Sequence, residues 1–109
     1  MTKKEQARRE RLLPEGKPRY IRCYDNGGET LDRYTVVYTG RYRGDGWFQY
    51  ISMNSSPFHP QGIGQHGEHP TQIDRPSYGH LGKKITFDDL PEDCQKLVMQ
   101  DYNAIWGLA

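Results

Sequence analysis

The sequence lacks the features that mark several classes of protein. Cys23 and Cys94 are its two cysteines, too few for a disulfide scaffold, and we expect both to be reduced in an intracellular protein. No stretch approaches the roughly 20 apolar residues of a membrane helix, and the charged beginning of the chain does not resemble a signal peptide. We therefore expect a cytoplasmic location and no membrane partner.

The sequence also has few hydrophobic residues and a small net charge. Only 34% of the 109 residues are hydrophobic, so eight tyrosines, three phenylalanines and two tryptophans must supply much of the buried area. The formal net charge is +1, which excludes a strong field that steers polyanions to the whole protein. Positive charge is concentrated in residues 1–18, which carry six Lys or Arg and three Glu. We predict a basic, flexible arm with almost nothing to bury there, and a single domain over residues 19–109.

Common enzyme signatures are absent. The sequence has no G-x-S-x-G elbow, no Walker loop, no H-E-x-x-H and no C-x-x-C, and we predict no catalytic residue and no cofactor. His59, His66 and His69 with Glu68 match no helical zinc pattern, so we also predict no metal site. Acid–base chemistry by His66 with Glu68, or by Asp32 with a loop histidine, is kept as an alternative.

Alternating side chains predict a small antiparallel sheet in an α+β domain. Residues 19–24, 33–39 and 47–53 each alternate two faces and contain β-branched or aromatic residues, which favours a three-stranded meander. Residues 25–28, Asp-Asn-Gly-Gly, are typical of a tight turn between the first two strands. Residues 83–87 suit a short fourth strand, so the sheet is predicted to have three to four strands.

A C-terminal helix is the clearest predicted element. Asp89 is the expected N-cap, with Glu92 at capping-box spacing, and Gly107 is a natural stop. Apolar residues recur between these limits at helical spacing: Leu90, Cys94, Leu97, Val98, Tyr102 and Ile105. The pattern predicts a helix over about residues 90–106 that packs on the sheet, with Leu97 and Val98 in the core.

Residues 54–82 are predicted to form a long polar loop. They contain all four histidines and four of the seven prolines, and loops of this length are usually functional or disordered. Amide side chains among glycines suit recognition of a base, an amide or a peptide backbone, whereas the alternative is a loop whose polar groups satisfy its own backbone. Asn54, Phe58, His59, Gln61 and Gln65 are expected to line one pocket or groove beside the sheet. The complete predicted ligand-binding set is Asn54, Phe58, His59, Gln61, Gly62, Gln65 and His66, with Asp32 and Arg33 from the neighbouring hairpin.

Three motifs in order give the chain a family resemblance. They are YDNGG with DRYTVV (residues 24–28 and 32–37), SMN with PFHPQGIGQ (52–54 and 57–65), and HLGKKI with LPED (80–85 and 90–93). Together they resemble a group of short accessory proteins carried by bacteriophages and prophages. The resemblance implies a phage accessory protein, and such proteins often act by binding a host protein or a signalling nucleotide.

The functional hypothesis is a non-enzymatic binding module that modulates or inhibits a host defence system. Its partner would be a host protein or a small nucleotide-like ligand. Two alternatives stay open: a small enzyme that uses loop histidine chemistry, and a nucleic-acid-binding protein that uses the basic arm. The sequence makes no prediction of the oligomeric state.

Overall fold

One antiparallel sheet of five strands organises the fold. The structure is a computed structural model, and it describes residues 2–43, 47–70 and 81–107. In chain order the elements are α1 (Lys3–Arg11), β1 (Ile21–Asp25), β2 (Tyr34–Arg43), β3 (Trp47–Met53), β4 (Gly64–Pro70), β5 (Lys83–Ile85) and α2 (Glu92–Trp106). The strand order is β4-β3-β2-β1-β5, and every neighbouring pair is antiparallel. The α+β fold class is confirmed, with one strand more than the predicted three to four.

The strand register separates the sheet into two faces. Cys23, Val36 and Ile51 are aligned across β1, β2 and β3, and each is at most 2% exposed. They belong to the main core, which α2 covers. The next residues along the strands point the other way, where Val37 packs with Tyr24, Leu81 and Tyr50 in a smaller cluster. Because the side-chain period is two, a slip of one residue would exchange these faces, so burial determines the register.

Strand β4 lies in the segment that was predicted as loop. Its sequence, GQHGEHP, has little intrinsic preference for a strand, and it is ordered by pairing with β3 along all seven residues. The loop prediction is therefore wrong for Gly64–Pro70. β4 is one of the two edge strands of the sheet, which accounts for a proline at its end. Residues 44–46, and residues 71–80 with His80, lie outside the described residues.

Helix α2 begins two residues later than expected, and its predicted cap serves another element. Pro91 is the N-cap, and α2 starts at Glu92. The Asp89 carboxylate instead accepts hydrogen bonds from the backbone N–H and the hydroxyl of Thr86, at 3.0 and 2.9 Å. These bonds close the short 3₁₀ helix Phe87–Asp89 and lower the pKa of the Asp89 carboxyl, with the backbone bond contributing most.

The buried face of α2 follows the predicted periodicity. Cys94, Val98 and Tyr102 are fully buried, whereas Leu97 is half-buried and packs at the margin of the main core. Gly107 ends the helix in the left-handed conformation, as predicted. In the described part of the chain, neither α1 nor α2 is long and apolar enough to cross a membrane.

The segment before β1 is more structured and more buried than an arm. Thr2 caps α1 by accepting a hydrogen bond from the Glu5 N–H at 3.1 Å. Leu12, which follows α1, is 6% exposed and belongs to the main core. The Tyr102 hydroxyl of α2 donates to the Arg11 carbonyl at 2.6 Å. The expectation that residues 1–18 bury almost nothing is therefore wrong, because Leu12 reaches the core.

The two cysteines are free thiols inside the fold. Burial raises the pKa of the Cys23 thiol to about 12 and that of the Cys94 thiol to about 11. A thiol with a raised pKa is a poor nucleophile at neutral pH, so neither cysteine suits thiolate chemistry.

Stability is expected to fall as the pH rises above about 9. The folded thiols have pKa values above the ordinary value of 9.0, so the folded chain holds these protons more tightly than the unfolded chain. That stabilisation is complete below pH 9.0 and is lost as the pH rises through 9.0 toward 11 and 12. Denaturant melts across this range measure it, and a Cys23→Ala variant should show a shallower decline. A flat profile would contradict the expectation.

Candidate functional site

The two segments that carry the predicted site leave the sheet at the same end. The register places four residues in one row across four strands: Asp25, Tyr34, Met53 and Gly64. The β1–β2 turn (residues 26–33) and the β3–β4 loop (residues 54–63) both start from this row. We call these two segments the turn end of the sheet.

Asn54 holds the β3–β4 loop together. Its side-chain oxygen accepts hydrogen bonds from the backbone N–H groups of Ser56 and Ile63, at 3.2 and 3.1 Å. Its own N–H donates to the Ile63 carbonyl, and its carbonyl accepts from the Cys94 thiol at 3.1 Å. Asn54 therefore satisfies hydrogen-bonding groups of the loop's own backbone and joins the loop to α2. This agrees with the alternative expectation, a loop whose polar groups satisfy its own backbone.

The rest of this loop is a tight turn with an apolar side chain exposed. His59 accepts the Gln61 N–H at its Nδ1 atom (3.1 Å), and its carbonyl accepts the Gly62 N–H at 2.7 Å. A Cβ atom at Gly62 would collide with the Ser56 carbonyl, so the turn needs glycine there. Phe58 is 48% exposed. The loop thus presents Phe58 and Gln61 to solvent while His59 shapes the turn.

In the β1–β2 turn, Arg33 binds the carboxylate of Asp25. Its Nε and Nη2 atoms donate to both oxygens of Asp25, at 2.7 and 3.1 Å, and this hydrogen bonding lowers the pKa of Asp25. Asp32 accepts instead from the Thr30 hydroxyl at 2.6 Å. Both interactions are at the surface, where solvent screens the ion pair and weakens its contribution to stability.

Gln65 and His66 are neighbours in β4 but point to opposite faces of the sheet. His66 is aligned with the buried Ile51 and faces α2, whereas Gln65 is aligned with Ser52 on the other face. The structure therefore does not bring these two predicted site residues to one surface. The Asn54 side chain also points into its own loop. The residues that were expected to line one pocket are therefore dispersed over different surfaces.

A polar cluster of three side chains lies between β4 and α2. The Nε2 atom of His66 is 2.7 Å from Oδ2 of Asp101, and the Tyr38 hydroxyl donates to the same oxygen at 3.0 Å. The Asp101 side chain is only 17% exposed, whereas that of His66 is 63% exposed. Burial, followed by the nearby carboxylate, raises the pKa of Tyr38, so its hydroxyl stays protonated and remains a donor. We call His66, Asp101 and Tyr38 the polar cluster.

The polar cluster forms one wall of an open pocket of about 360 Å³. Gln49, Tyr50 and Ile105 contribute other walls, which gives a mostly apolar surface with a few polar groups. This size and composition fit the general properties of small-ligand sites. Among its described lining residues there is no Ser, Thr, Cys or Lys, and the tyrosine, histidine and carboxylate side chains offer hydrogen bonding and proton transfer.

Gly67 makes room for the Tyr50 ring on the face of the sheet opposite α2. A Cβ atom at Gly67 would lie 2.5–2.6 Å from the Tyr50 hydroxyl and ring, so the absence of a side chain lets the ring lie over β4. Tyr50 also packs against Val37 and Leu81 of the smaller cluster. Contacts on the face of the sheet opposite α2 therefore determine the position of this tyrosine.

Asp101 is the site residue that sequence reasoning missed. It lies on the same side of α2 as Cys94, Val98 and Ile105, at spacings of seven, three and four residues. A carboxylate at a core-facing position needs a partner, and this was the available signal. Within the described residues, no group of three or more His, Cys, Asp or Glu is placed to hold a metal ion.

The motifs that carry the phage resemblance meet at the turn end. Residues 24–37 include the β1–β2 turn and 52–65 include the β3–β4 loop, while Gly82 packs on the turn from β5. Gly82 has a φ of 86°, and a Cβ atom there would collide with the Asp25 carbonyl. These residues thus share a structural role in closing one end of the sheet. Compared with known proteins, the chain matches no protein-family model, no curated protein and no solved structure.

Proposed function

We propose that the chain is a non-enzymatic binding module whose main contact site is the pocket beside the polar cluster. One observation carries the proposal: His66 and Tyr38 both hydrogen-bond to Oδ2 of Asp101 at the wall of an open pocket. A partly buried carboxylate with two donors is pre-organised, so a ligand would pay little to order it. The large exposed fraction of His66 keeps the cluster accessible.

The chemistry of the pocket favours a peptide segment of a partner protein. Tyr38 and His66 both use Oδ2 of Asp101, so an N–H group of a ligand would be accepted by Oδ1. The Gln49 amide can accept and donate at once, which matches a peptide group. The pocket also adjoins β4, the edge strand, and extended peptides commonly bind by pairing with such an edge.

The biological setting of this proposal comes from the family resemblance. A short phage accessory protein with one pre-organised site would act by occupying a host protein, so we propose a modulator or inhibitor of host defence in the bacterial cytoplasm. A nucleotide-like ligand in the same pocket is the other partner that the resemblance implies.

Replacing His66 with alanine is expected to weaken partner binding by about tenfold to a hundredfold, since a hydrogen bond involving a charged group contributes about 1.5–3 kcal/mol. The matched control is Gln65→Ala, which changes the neighbouring residue on the opposite face of β4. Partners retained from a bacterial lysate by the unmodified chain are identified by mass spectrometry, purified, and titrated calorimetrically against all three proteins. Equal affinity of the His66→Ala and unmodified chains would exclude the pocket as the contact site.

The polar cluster also favours one second candidate, an enzyme that transfers protons. A histidine held by a carboxylate is the usual arrangement of a general base. The polar cluster combines a histidine, a carboxylate and a tyrosine, and these groups suit acid–base catalysis. Turnover that disappears in both His66→Ala and Asp101→Asn would distinguish this candidate from a module that only binds.

A further inference from the structure

We propose that Asn26 is a site of spontaneous covalent modification, deamidation, and that the folded β1–β2 turn holds the reaction back. Among the three asparagines of the chain, only Asn26 precedes a glycine, whereas Asn54 precedes a serine and Asn103 an alanine. Glycine has no side chain to shield its backbone nitrogen, and its main chain rotates freely enough for a ring to close. The local sequence therefore makes Asn26 the most reactive asparagine of this protein.

The reaction is an attack of the chain on its own side chain. The backbone nitrogen of Gly27 forms a bond to Cγ of Asn26 and gives up its proton, while the bond from Cγ to Nδ2 breaks and ammonia leaves. The product is a cyclic succinimide. Water then opens the ring at either carbonyl, which leaves aspartate or isoaspartate in place of the asparagine. The chain itself and water are the only reactants.

Hydrogen bonds fix the Asn26 side chain at both of its polar atoms. Oδ1 accepts from the backbone N–H groups of Gly28 and Glu29, at 2.9 and 3.1 Å. Nδ2 donates to the Thr30 hydroxyl at 2.7 Å, and that hydroxyl donates in turn to Asp32 at 2.6 Å. Ring closure draws Cγ toward the Gly27 nitrogen and releases Nδ2, so it has to break this set of bonds.

The attacking nitrogen is also held. The Gly27 N–H donates to Oδ1 of Asp25 at 2.8 Å, so its hydrogen points at the carboxylate. Hydrogen bonds from Arg33 hold both oxygens of that carboxylate and lower the pKa of Asp25. A carboxylate with a lowered pKa is a weak base, so Asp25 accepts the hydrogen bond without removing the proton.

Contacts of the main chain complete the restraint on the turn. The Asn26 N–H donates to the Arg33 carbonyl at 3.0 Å. A Cβ atom at Gly82 would collide with the Asp25 carbonyl and with Cα of Asn26, so the segment before β5 lies directly against the turn. The peptide between Asn26 and the following glycine therefore rotates only when the turn opens. The population of open turns sets the reaction rate, as for other local openings.

Deamidation would change the turn end permanently. Either product replaces a neutral amide with a carboxylate in a turn that already contains Asp25, Glu29 and Asp32. Isoaspartate also adds a methylene group to the main chain, at a place where Gly82 already packs closely. The modified protein should therefore have a lower melting temperature. A molecule whose turn has stayed open would carry a lasting change at this end of the sheet.

The test compares deamidation of the full chain in native buffer and in guanidinium chloride, at the same mildly alkaline pH. Peptide mapping by mass spectrometry follows Asn26 separately from Asn54 and Asn103. Unfolding is expected to speed the reaction at Asn26 by about tenfold or more, because several hydrogen bonds hold the closed turn and each corresponds to about twofold to tenfold.

Variants of the folded protein identify the bonds that protect Asn26. Asp25→Ala frees the Gly27 N–H, and Thr30→Val removes the acceptor of Nδ2. Each should speed the reaction by about twofold to tenfold, the range that corresponds to one hydrogen bond. The matched control is Glu29→Ala, which removes an acidic side chain from the same turn, keeps the backbone N–H that binds Asn26, and should leave the rate unchanged.

Three results would overturn the proposal. Equal rates at Asn26 in the folded and unfolded chain would mean that the turn gives no protection. Absence of modification at Asn26 in the unfolded chain would remove the reactive site. Rates for Asp25→Ala and Thr30→Val equal to that of Glu29→Ala, at unchanged melting temperatures, would exclude the assigned hydrogen bonds. The comparison in guanidinium chloride uses the unmodified sequence, so it holds even if a variant fails to fold.

Discussion

Replacing Tyr102 with alanine is expected to lower the free energy of unfolding by about 3–5 kcal/mol. Tyr102 is fully buried, its ring packs between those of Tyr38 and Trp106, and its hydroxyl donates to the Arg11 carbonyl. The substitution would leave a cavity and would also remove the donor that joins α2 to the end of α1. Since domains are stable by about 5–15 kcal/mol, the loss would be a large share of the total.

A Tyr102→Phe variant separates the two contributions. It keeps the ring and removes only the hydroxyl, so it should cost about 1–3 kcal/mol, the penalty for a polar group left without its partner. Urea denaturation of both variants measures the difference. If Tyr102→Ala cost less than 1 kcal/mol, the central place of Tyr102 in the core would be contradicted.

Deleting residues 1–18 is expected to lower the free energy of unfolding by about 2–5 kcal/mol, the usual cost of removing a buried leucine. The deletion removes Leu12 from the main core and takes away the carbonyl that accepts the Tyr102 hydroxyl. The sequence alone led to the opposite expectation, a neutral deletion, so this experiment decides between the two.

Point substitutions test whether the loss of Leu12 explains the effect of the deletion on stability. Leu12→Ala should account for most of the loss, whereas Leu31→Ala, at a leucine that is 82% exposed, should change stability by less than about 0.5 kcal/mol. Thermal and denaturant melts of the three proteins provide the comparison. If the truncated protein had the same melting temperature and denaturation midpoint as the full chain, the prediction of a flexible arm would hold.

The strands that were predicted are those with a strong local signal. β2 and β3 contain β-branched and aromatic residues at alternating positions, and β3 was predicted over the range observed. β4 has glycine, histidine and proline instead, so nothing local distinguishes it from a loop. It forms because β3 offers a free edge of hydrogen-bonding groups, a property of the folded sheet.

The candidate site likewise contains one residue that the local sequence indicated and others that it did not. His66 was predicted as a ligand-binding residue because it stood in a segment rich in polar side chains. Its partner Asp101 is 35 residues away in the chain, and Tyr38 is 63 residues from Asp101, so no local pattern connects them.

The sequence by itself determined the class of this protein: an α+β domain with a periodic C-terminal helix, buried tyrosines and no membrane-spanning stretch. These properties follow from side-chain chemistry at short range, where periodicity and turn residues act within a few positions. The tertiary structure decided that β4 is a strand, that Leu12 is core, and which side chains share a pocket. Each of these depends on groups distant in the chain, and burial and hydrogen bonding between such groups exist only after the chain has folded.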